Sequence, residues 1–193
     1  GAGQAGMSPA PLSRLGSKAD FPGLAGGWHY LDSAATAQKP QGVIDACTAA
    51  LGRDYATVHR GVYARSAEMT LAFEAAREKV AALIGGQPQE LVFTRGATEA
   101  INLLAYSYPH KGRVLLSTLE HHSNIVPWQL AGWQVDVCPL TADGRIDLDA
   151  AEAMLTTEHT MVAFAHVSNV LGSILDVPRA VALALKVGAK ILL

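Results

Sequence analysis

Residues 93–99, FTRGATE, place a glycine, two small residues and a hydroxyl between an apolar run and a helical pattern. Such a segment suits a dianionic phosphate, because free backbone N–H groups and the positive end of a helix point toward the anion. Gly96 lets the backbone approach closely beside Ala97, and the Thr98 hydroxyl adds a donor. An ordinary helix N-cap, in which Thr98 satisfies the first turn, explains the residues equally well. The motif alone leaves both interpretations open.

Adjacent histidines follow the next apolar run, in the sequence EHHSN at residues 120–124. An imidazole at a strand end can lie flat on an aromatic cofactor ring or transfer protons near neutral pH, and His121 is the candidate for both roles. Two alternatives stay open: a zinc site, although no third ligand has suitable spacing, or simply polar loop residues. We predict no metal site.

A third polar group follows a later apolar run, in the sequence HVSNVLG at residues 166–172. Asn169 can both donate and accept hydrogen bonds, which fits the phenolic oxygen of a pyridoxal ring. The alternative is an Asx turn in which Asn169 satisfies its own backbone, and in isolation the residues favour that turn.

Two polar patches flank the first predicted helix, DSAAT at residues 32–36 and VHRG at residues 58–61. Small residues such as Ala34 and Ala35 could leave room for a substrate, and His59 or Arg60 could meet a carboxylate. Surface loops explain both patches as well. The motifs carry more weight together than singly. A loop suited to phosphate, a histidine suited to stacking and an amide suited to a pyridine oxygen occur in this order, each after a predicted strand.

The elements that must position these groups alternate along the chain. Predicted strands cover residues 91–94, 113–118, 134–139, 161–166 and 190–193, and predicted helices cover residues 40–53, 66–84, 98–106, 147–155 and 179–187. Such alternation predicts an α/β fold with a parallel sheet covered by helices, whose ligands lie at the carboxyl ends of the strands. Because KILL at residues 190–193 reads as a buried strand, we expect a truncated domain.

The composition excludes several classes of protein. The chain has 193 residues, 50% of them hydrophobic, and a net charge of -2 with scattered basic residues, so we expect no nucleic-acid partner. No apolar run approaches the roughly 20 residues of a membrane span, and no secretory signal is present, so we expect a cytoplasmic protein without a membrane partner. Residues 1–27 are rich in Gly, Ala, Pro and Ser, and this composition predicts a loose N-terminal arm that could include part of a tag. Cys47 and Cys138 are predicted core residues.

Five segments together resemble the class V aminotransferase family, and within it the SUF-type cysteine desulfurases and selenocysteine lyases. They are YLDSAA at 30–35, VHRG at 58–61, FTRGATEAINL at 93–103, EHHSNIVPW at 120–128 and HVSNVLG at 166–172. The resemblance covers residues 28–193 and implies the N-terminal part of a large, PLP-binding domain of fold type I, in a homodimer.

The same resemblance implies roles for individual residues around pyridoxal 5'-phosphate (PLP). Thr98 and the amides around Gly96 and Ala97 would hold the phosphate, His121 would stack on the pyridine ring, and Asn169 would bond the ring oxygen. The candidates for the substrate side are Ala34, Ala35 and His59, with Asn124 and Arg60 weaker. An acid for the pyridine nitrogen, a lysine that attaches the cofactor and a persulfide cysteine would lie beyond Leu193, so we expect this chain alone to be inactive.

The reaction implied for the complete protein converts L-cysteine, or selenocysteine, to L-alanine. In the cysteine reaction, sulfur would leave as an enzyme persulfide and pass to a sulfur-acceptor protein for iron–sulfur cluster assembly. Two alternatives remain open: another class V PLP enzyme of the kynureninase-like or epimerase-like kind, and a noncatalytic half-domain module.

Overall fold

The chain folds as two units that divide between Leu91 and Val92 in the computed structural model, which describes residues 16–193. The first unit contains helices α1 (Gln41–Leu51) and α2 (Ala64–Leu83), with single turns of 3-10 helix at Lys18–Asp20, Pro22–Leu24 and Pro88–Glu90. Both helices confirm the predicted segments to within two residues at each end. Most of the predicted N-terminal arm lies outside the described residues.

Cys47 of α1 is not buried, although its place in a helical pattern predicted a core residue. No residue of α1 is buried, and the Cys47 side chain is exposed, so the prediction of a core residue is wrong here. An amphipathic pattern states that a helix has an apolar face, but burial requires a neighbouring element that covers that face. In the described part of the chain no element covers α1 closely enough to bury a residue.

The second unit is built on four parallel strands: β1 (Arg113–Ser117), β2 (Gln134–Cys138), β3 (His159–Ala163) and β4 (Lys190–Leu192). Their order in the sheet is β2-β1-β3-β4. The predicted parallel sheet is confirmed, with β3 beginning two residues before the predicted strand. The strand predicted at residues 91–94 is wrong, because this segment is not part of the described sheet, and an apolar run makes a strand only where a neighbouring strand completes its ladder.

Helices cover both faces of this sheet. They are α3 (Ala97–Ser107), α4 (Val126–Leu130), α5 (Leu148–Met154) and α6 (Val177–Lys186). The sequence does not predict α4, because five residues are too few to show the helical period. None of the helices within residues 16–193 combines the length and apolar character that a bilayer span requires.

Alternating strand residues divide the core into two layers. Val114 and Leu116 of β1 pack on the side of α3 and α4, together with Trp128, whereas Leu115 packs on the side of α5 and α6. All four side chains are fully buried. Cys138 of β2 is buried in the Leu115 layer, which confirms its predicted place in the core. The two faces of the sheet are therefore both occupied, as the near-continuous apolar runs predict.

A polar network holds the strands in register at the amino-end side of the sheet. Arg113 Nε and Nη2 donate to Asp136 Oδ2 and Oδ1 at 2.7 and 2.8 Å. His159 Nδ1 accepts from the Thr156 N–H, so its Nε2–H donates to Asp136 Oδ2 at 3.1 Å. The bidentate guanidinium bond, more than any other contact, holds the pKa of Asp136 below its ordinary value. Three strands are thereby joined through one carboxylate.

Candidate active site

The carboxyl ends of β1 and β3, which are neighbours in the sheet, mark the place where the topology predicts a binding crevice. After β1 the chain continues through α4 to β2 on one side, and after β3 it continues through α6 to β4 on the other. Ligands of open α/β sheets bind where consecutive connections diverge in this way. The segments that leave the sheet at this point are residues 118–125 and residues 164–176.

The first turn of α3 presents unused backbone donors. Gly96 is the N-cap residue and no side chain caps the helix end, so among residues 16–193 the N–H groups of Ala97, Thr98 and Glu99 have no acceptor. Thr98 is the second helical residue, which makes its alternative role as an ordinary N-cap wrong. A Cβ built on Gly96 would meet no atom within 4 Å. An anion can therefore reach these donors, while the Arg95 N–H is already bonded to Glu99 Oε2 at 2.7 Å.

Helix α3 brings this turn to the carboxyl edge of the sheet. Near its far end the Ala105 carbonyl accepts from Trp133 Nε1–H at 2.8 Å, just before β2 begins. The 11 residues of α3 and the five of β1 both span about 16 Å. The helix also packs against α4 and against the 3-10 turn His122–Asn124. Its N-terminus therefore lies beside the segment that follows β1.

His121 stands at the start of that 3-10 turn with an exposed side chain. Its Nδ1 accepts from the Ser123 N–H at 3.1 Å and lies 2.8 Å from Ser123 Oγ. Because Nδ1 is an acceptor, the ring proton of the neutral imidazole is on Nε2. The rings of His121 and His122 are 6.1 Å apart and nearly perpendicular, and within residues 16–193 no three His, Cys, Asp or Glu side chains form a group that could hold a metal ion.

The turn after β3 leaves Asn169 exposed. Ser168 builds that turn: its Oγ accepts from the Val170 and Leu171 N–H groups at 3.2 and 3.0 Å. The alternative in which Asn169 forms an Asx turn is therefore wrong, because the Ser168 hydroxyl accepts the backbone hydrogen bonds of this turn. The Asn169 carboxamide has no hydrogen-bond partner in the described part of the chain and remains available for a ligand.

The comparison with known families decides the relationship. Residues 29–193 match the family "Aminotransferase class-V".

The chain belongs to this family.

Proteins of the class V family to which this chain is similar include several that are named cysteine desulfurase. One from Pectobacterium atrosepticum is 42% identical over 95% of this chain and 48% of its own length. The apo cysteine desulfurase of Thermococcus onnurineus superposes with a TM-score of 0.81 at 34% identity, over 90% of this chain and 45% of that one. The Escherichia coli cysteine desulfurase in its S-sulfonic acid form has a TM-score of 0.77 at 37% identity, over 90% and 46%.

These likenesses confirm the predicted family and fold class. The chain spans about half the length of the curated relatives it matches.

Asn124, a weaker class V substrate candidate, is buried and uses its whole carboxamide within the protein. Its Nδ2 donates to Glu120 Oε2 at 2.9 Å and to the Ala163 carbonyl at 3.2 Å, and its Oδ1 accepts from Trp128 Nε1–H at 2.9 Å. The geometry thus makes Asn124 part of the frame of the site. The sequence analysis assigns no role to Glu120, the hydrogen-bond partner of Asn124. The two residues are four positions apart and enclose the histidine pair, and this spacing was a signal that could have identified Glu120.

The remaining class V candidates lie in the first unit. Ala34 and Ala35 are exposed in a turn, where the Ala35 N–H donates to the Asp32 carbonyl at 3.1 Å. His59 has a left-handed backbone with φ of 68°, its N–H donates to Thr70 Oγ1 at 2.9 Å, and its Nε2 lies 3.1 Å from Glu74 Oε1. A non-glycine residue held in this conformation often belongs to a functional site. Their substrate roles, and that of exposed Arg60, stay predictions.

Proposed function

We propose that the protein to which this chain belongs is a PLP-dependent cysteine desulfurase, and that residues 28–193 supply the N-terminal part of its PLP-binding domain. The observation that carries the proposal is the first turn of α3. It has three N–H groups without acceptors among the described residues and open space at Gly96. The segments that carry His121 and Asn169 leave the sheet at the switch point between β1 and β3, which supports a shared site. The 42% identity to a cysteine desulfurase supports the same activity.

The residues present fit the phosphate of PLP. A dianion gains from both the aligned N–H groups and the positive end of the helix dipole, and an 11-residue helix is long enough to have one. We assign the phosphate to the N–H groups of Ala97, Thr98 and Glu99, with the Thr98 hydroxyl as a further donor. Gly96 leaves the space in which a phosphate oxygen would approach the backbone.

The residues also fit a pyridine ring. His121 would place its imidazole against the ring face, with Nδ1 fixed by Ser123 so that the orientation of the imidazole is set before the cofactor arrives. Asn169 would donate its amide hydrogen to the ring oxygen. When bound, PLP supplies an electron sink for chemistry at the α-carbon of an amino acid. These residues hold and orient the ring rather than change covalently.

The proposed overall reaction is L-cysteine plus an enzyme thiol giving L-alanine plus an enzyme persulfide. One C–S bond breaks and one S–S bond forms, and the thiol proton leaves with the alanine product. The same proposal includes selenocysteine as a second substrate, a sulfur-acceptor protein, a role in iron–sulfur cluster assembly, a homodimer and a cytoplasmic location. The class V resemblance supports the first four, and the composition supports the last.

The cofactor site is tested by equilibrium binding to this chain. Tryptophan fluorescence would be followed while PLP or pyridoxal, which lacks the phosphate, is added. We expect PLP to bind at least about 10-fold more tightly than pyridoxal, since one charge-assisted hydrogen bond alone is worth that factor. Thr98→Val keeps the shape of the side chain and should weaken PLP but not pyridoxal. Equal affinities for the two ligands would contradict the phosphate assignment.

The activity is tested on the protein in its natural length. After loading with PLP, it should form L-alanine from L-cysteine, measured by amino-acid analysis, and the enzyme should gain the mass of one sulfur atom when no acceptor is present. A protein that binds PLP but releases no alanine from cysteine would end the desulfurase proposal while leaving the cofactor site intact.

A further inference from the structure

Glu120 joins three segments at the crevice through one half-buried carboxylate. Its Oε1 accepts from Ser117 Oγ–H at 2.6 Å and from the Ala165 N–H at 3.0 Å. Its Oε2 accepts from Asn124 Nδ2–H at 2.9 Å. Ser117 ends β1, whereas Ala165 follows β3. The carboxylate therefore bridges the segments that follow the two neighbouring strands.

Asn124 continues this bridge into the core. Its second Nδ2–H donates to the Ala163 carbonyl, the last residue of β3, at 3.2 Å, and its Oδ1 accepts from the indole N–H of fully buried Trp128. We name Glu120 and Asn124 the β1–β3 clamp. Each side-chain polar atom of the clamp has a partner, and such a satisfied network fixes the positions of its members.

The clamp acts where the strand ladder ends. The pairing of β1 with β3 runs only to Leu115 and Val162, and beyond this pair the two chains diverge toward opposite faces. The Ala163 carbonyl and the Ala165 N–H would otherwise lack partners from β1, and buried backbone groups without partners are costly. Side chains of residues 120 and 124 thus replace the missing backbone pairing.

His121 lies between the two clamp residues in the sequence, and backbone hydrogen bonds hold the chain on both sides of it. The Glu120 N–H bonds the Ser117 carbonyl at 3.3 Å on one side, and the His121 carbonyl accepts from the Asn124 N–H at 2.8 Å on the other. The backbone that carries the imidazole is therefore held at both ends, independently of the phosphate loop at α3.

We infer that Glu120 and Asn124 are positioning residues, which set the height and tilt of the His121 imidazole over the cofactor ring. The inference rests on the proposed PLP site and adds to it the residues that orient the stacking group. It predicts that damage to the clamp changes how the ring is held, while the phosphate donors of α3 keep their strength.

The test is a double-mutant cycle between Glu120→Gln and His121→Ala in this chain. Glutamine keeps the shape of Glu120 but turns an NH₂ group toward the Asn124 NH₂ group, so one bond of the clamp is lost. We expect Glu120→Gln to weaken PLP binding by about 3- to 10-fold and to reduce the circular dichroism that bound PLP acquires, whereas in the His121→Ala background the same change alters affinity by less than about twofold. Affinity for inorganic phosphate should stay within about twofold in every variant, because the α3 donors are untouched.

Glu78→Gln, at an exposed position of α2, is the matched control and should leave all ligand affinities unchanged. If Glu120→Gln does not fold, Ser117→Ala removes one donor to the same carboxylate and replaces it in the cycle. Equal loss of PLP affinity with and without His121, or a parallel loss of phosphate affinity, would overturn the positioning role. A wild-type chain that binds PLP no better than pyridoxal would instead refute the proposed cofactor site, and the inference would fall with it.

Discussion

Replacing Gly96 by serine should strengthen the fold and weaken cofactor binding at the same time. Serine is a preferred N-cap residue, and its Oγ can accept from the N–H of the second or third helical residue, here Thr98 or Glu99. The backbone at Gly96 is extended, with φ of 162°, so serine adopts it without strain. The new hydroxyl would therefore use one of the donors that we assign to the phosphate.

The two effects differ in size as well as in sign. A Cβ at position 96 meets no atom within 4 Å, so no clash opposes the capping gain. That gain is about 0.3 kcal/mol over glycine. The loss of one charge-assisted hydrogen bond to phosphate costs about 1.5–3 kcal/mol, which corresponds to roughly 10- to 100-fold weaker PLP binding.

Thermal unfolding without ligand and PLP titration, performed on the same samples, separate the two effects. The melting temperature should rise by about 1 °C, while the affinity for PLP and for inorganic phosphate falls. Pyridoxal serves as the internal control, since it has no phosphate to lose. Gly42→Ser in α1 is the matched variant, because a Cβ there also meets nothing within 4 Å and the site lies outside the phosphate loop.

One result would refute the reasoning outright: a Gly96→Ser chain that binds PLP as tightly as the wild type while its melting temperature rises. The serine would then cap the helix without competing with any ligand. Equal weakening of PLP and pyridoxal would also count against the assignment, because it would place the lost contact on the ring.

Three further predictions concern stability and reactivity. Asp136→Asn should lower the free energy of unfolding by about 2 kcal/mol near neutral pH, since it breaks charge-assisted bonds. The folded state lowers the pKa of Asp136, so this contribution is present above the ordinary aspartate pKa of about 4 and is lost as the pH falls through the lowered value, which urea unfolding across pH would measure. Leu115→Ala should cost about 2–5 kcal/mol in the same assay, because Leu115 is fully buried. Iodoacetamide should label exposed Cys47 in the folded chain but not Cys138, whose burial raises its thiol pKa to about 11, as peptide mass spectrometry would show.

Each of these changes has a counterpart elsewhere in the chain. Asp143→Asn alters an exposed ion pair with Arg145 and should lower the free energy of unfolding far less than Asp136→Asn. Equal losses would show that the bond between Asp136 and Arg113 stabilises the fold no more than an exposed pair does. Leu130→Ala removes a side chain that is 69% exposed and should cost little. Cys138 should become reactive once urea unfolds the chain, and labelling of Cys138 under native conditions would contradict its burial.

Local patterns in the sequence were sufficient for the elements that depend on neighbouring residues. The apolar runs of β1, β2 and β4 lie within one residue of their predicted ends, and Asp147 and Asp176 cap α5 and α6 through their own backbone neighbours. Alternation of runs and helical patterns predicted the parallel sheet, because short apolar strands between helices can be buried only in that way. The resemblance to the class V family likewise rests on short local segments of the sequence.

Where the outcome depended on a partner distant in the sequence, the same patterns failed. The apolar residues 91–94 form no strand in the described part of the chain, and no described element buries Cys47, although their local patterns resemble those of buried segments. Propensity reports what a segment can do, whereas pairing and burial are decided by what packs against it.

The sequence by itself singled out candidates to bind a phosphate, an aromatic ring and a ring oxygen, because donor type and strand-end position are local properties. Only the tertiary structure decided that β1 and β3 are neighbours with diverging connections, so that the segments carrying His121 and Asn169 both leave the sheet at its carboxyl edge. It also decided that Glu120 and Asn124 are held within the protein, since their partners at residues 163 and 165 lie about 40 residues away along the chain. Contacts over such separations arise from sheet order and packing, which no local pattern encodes.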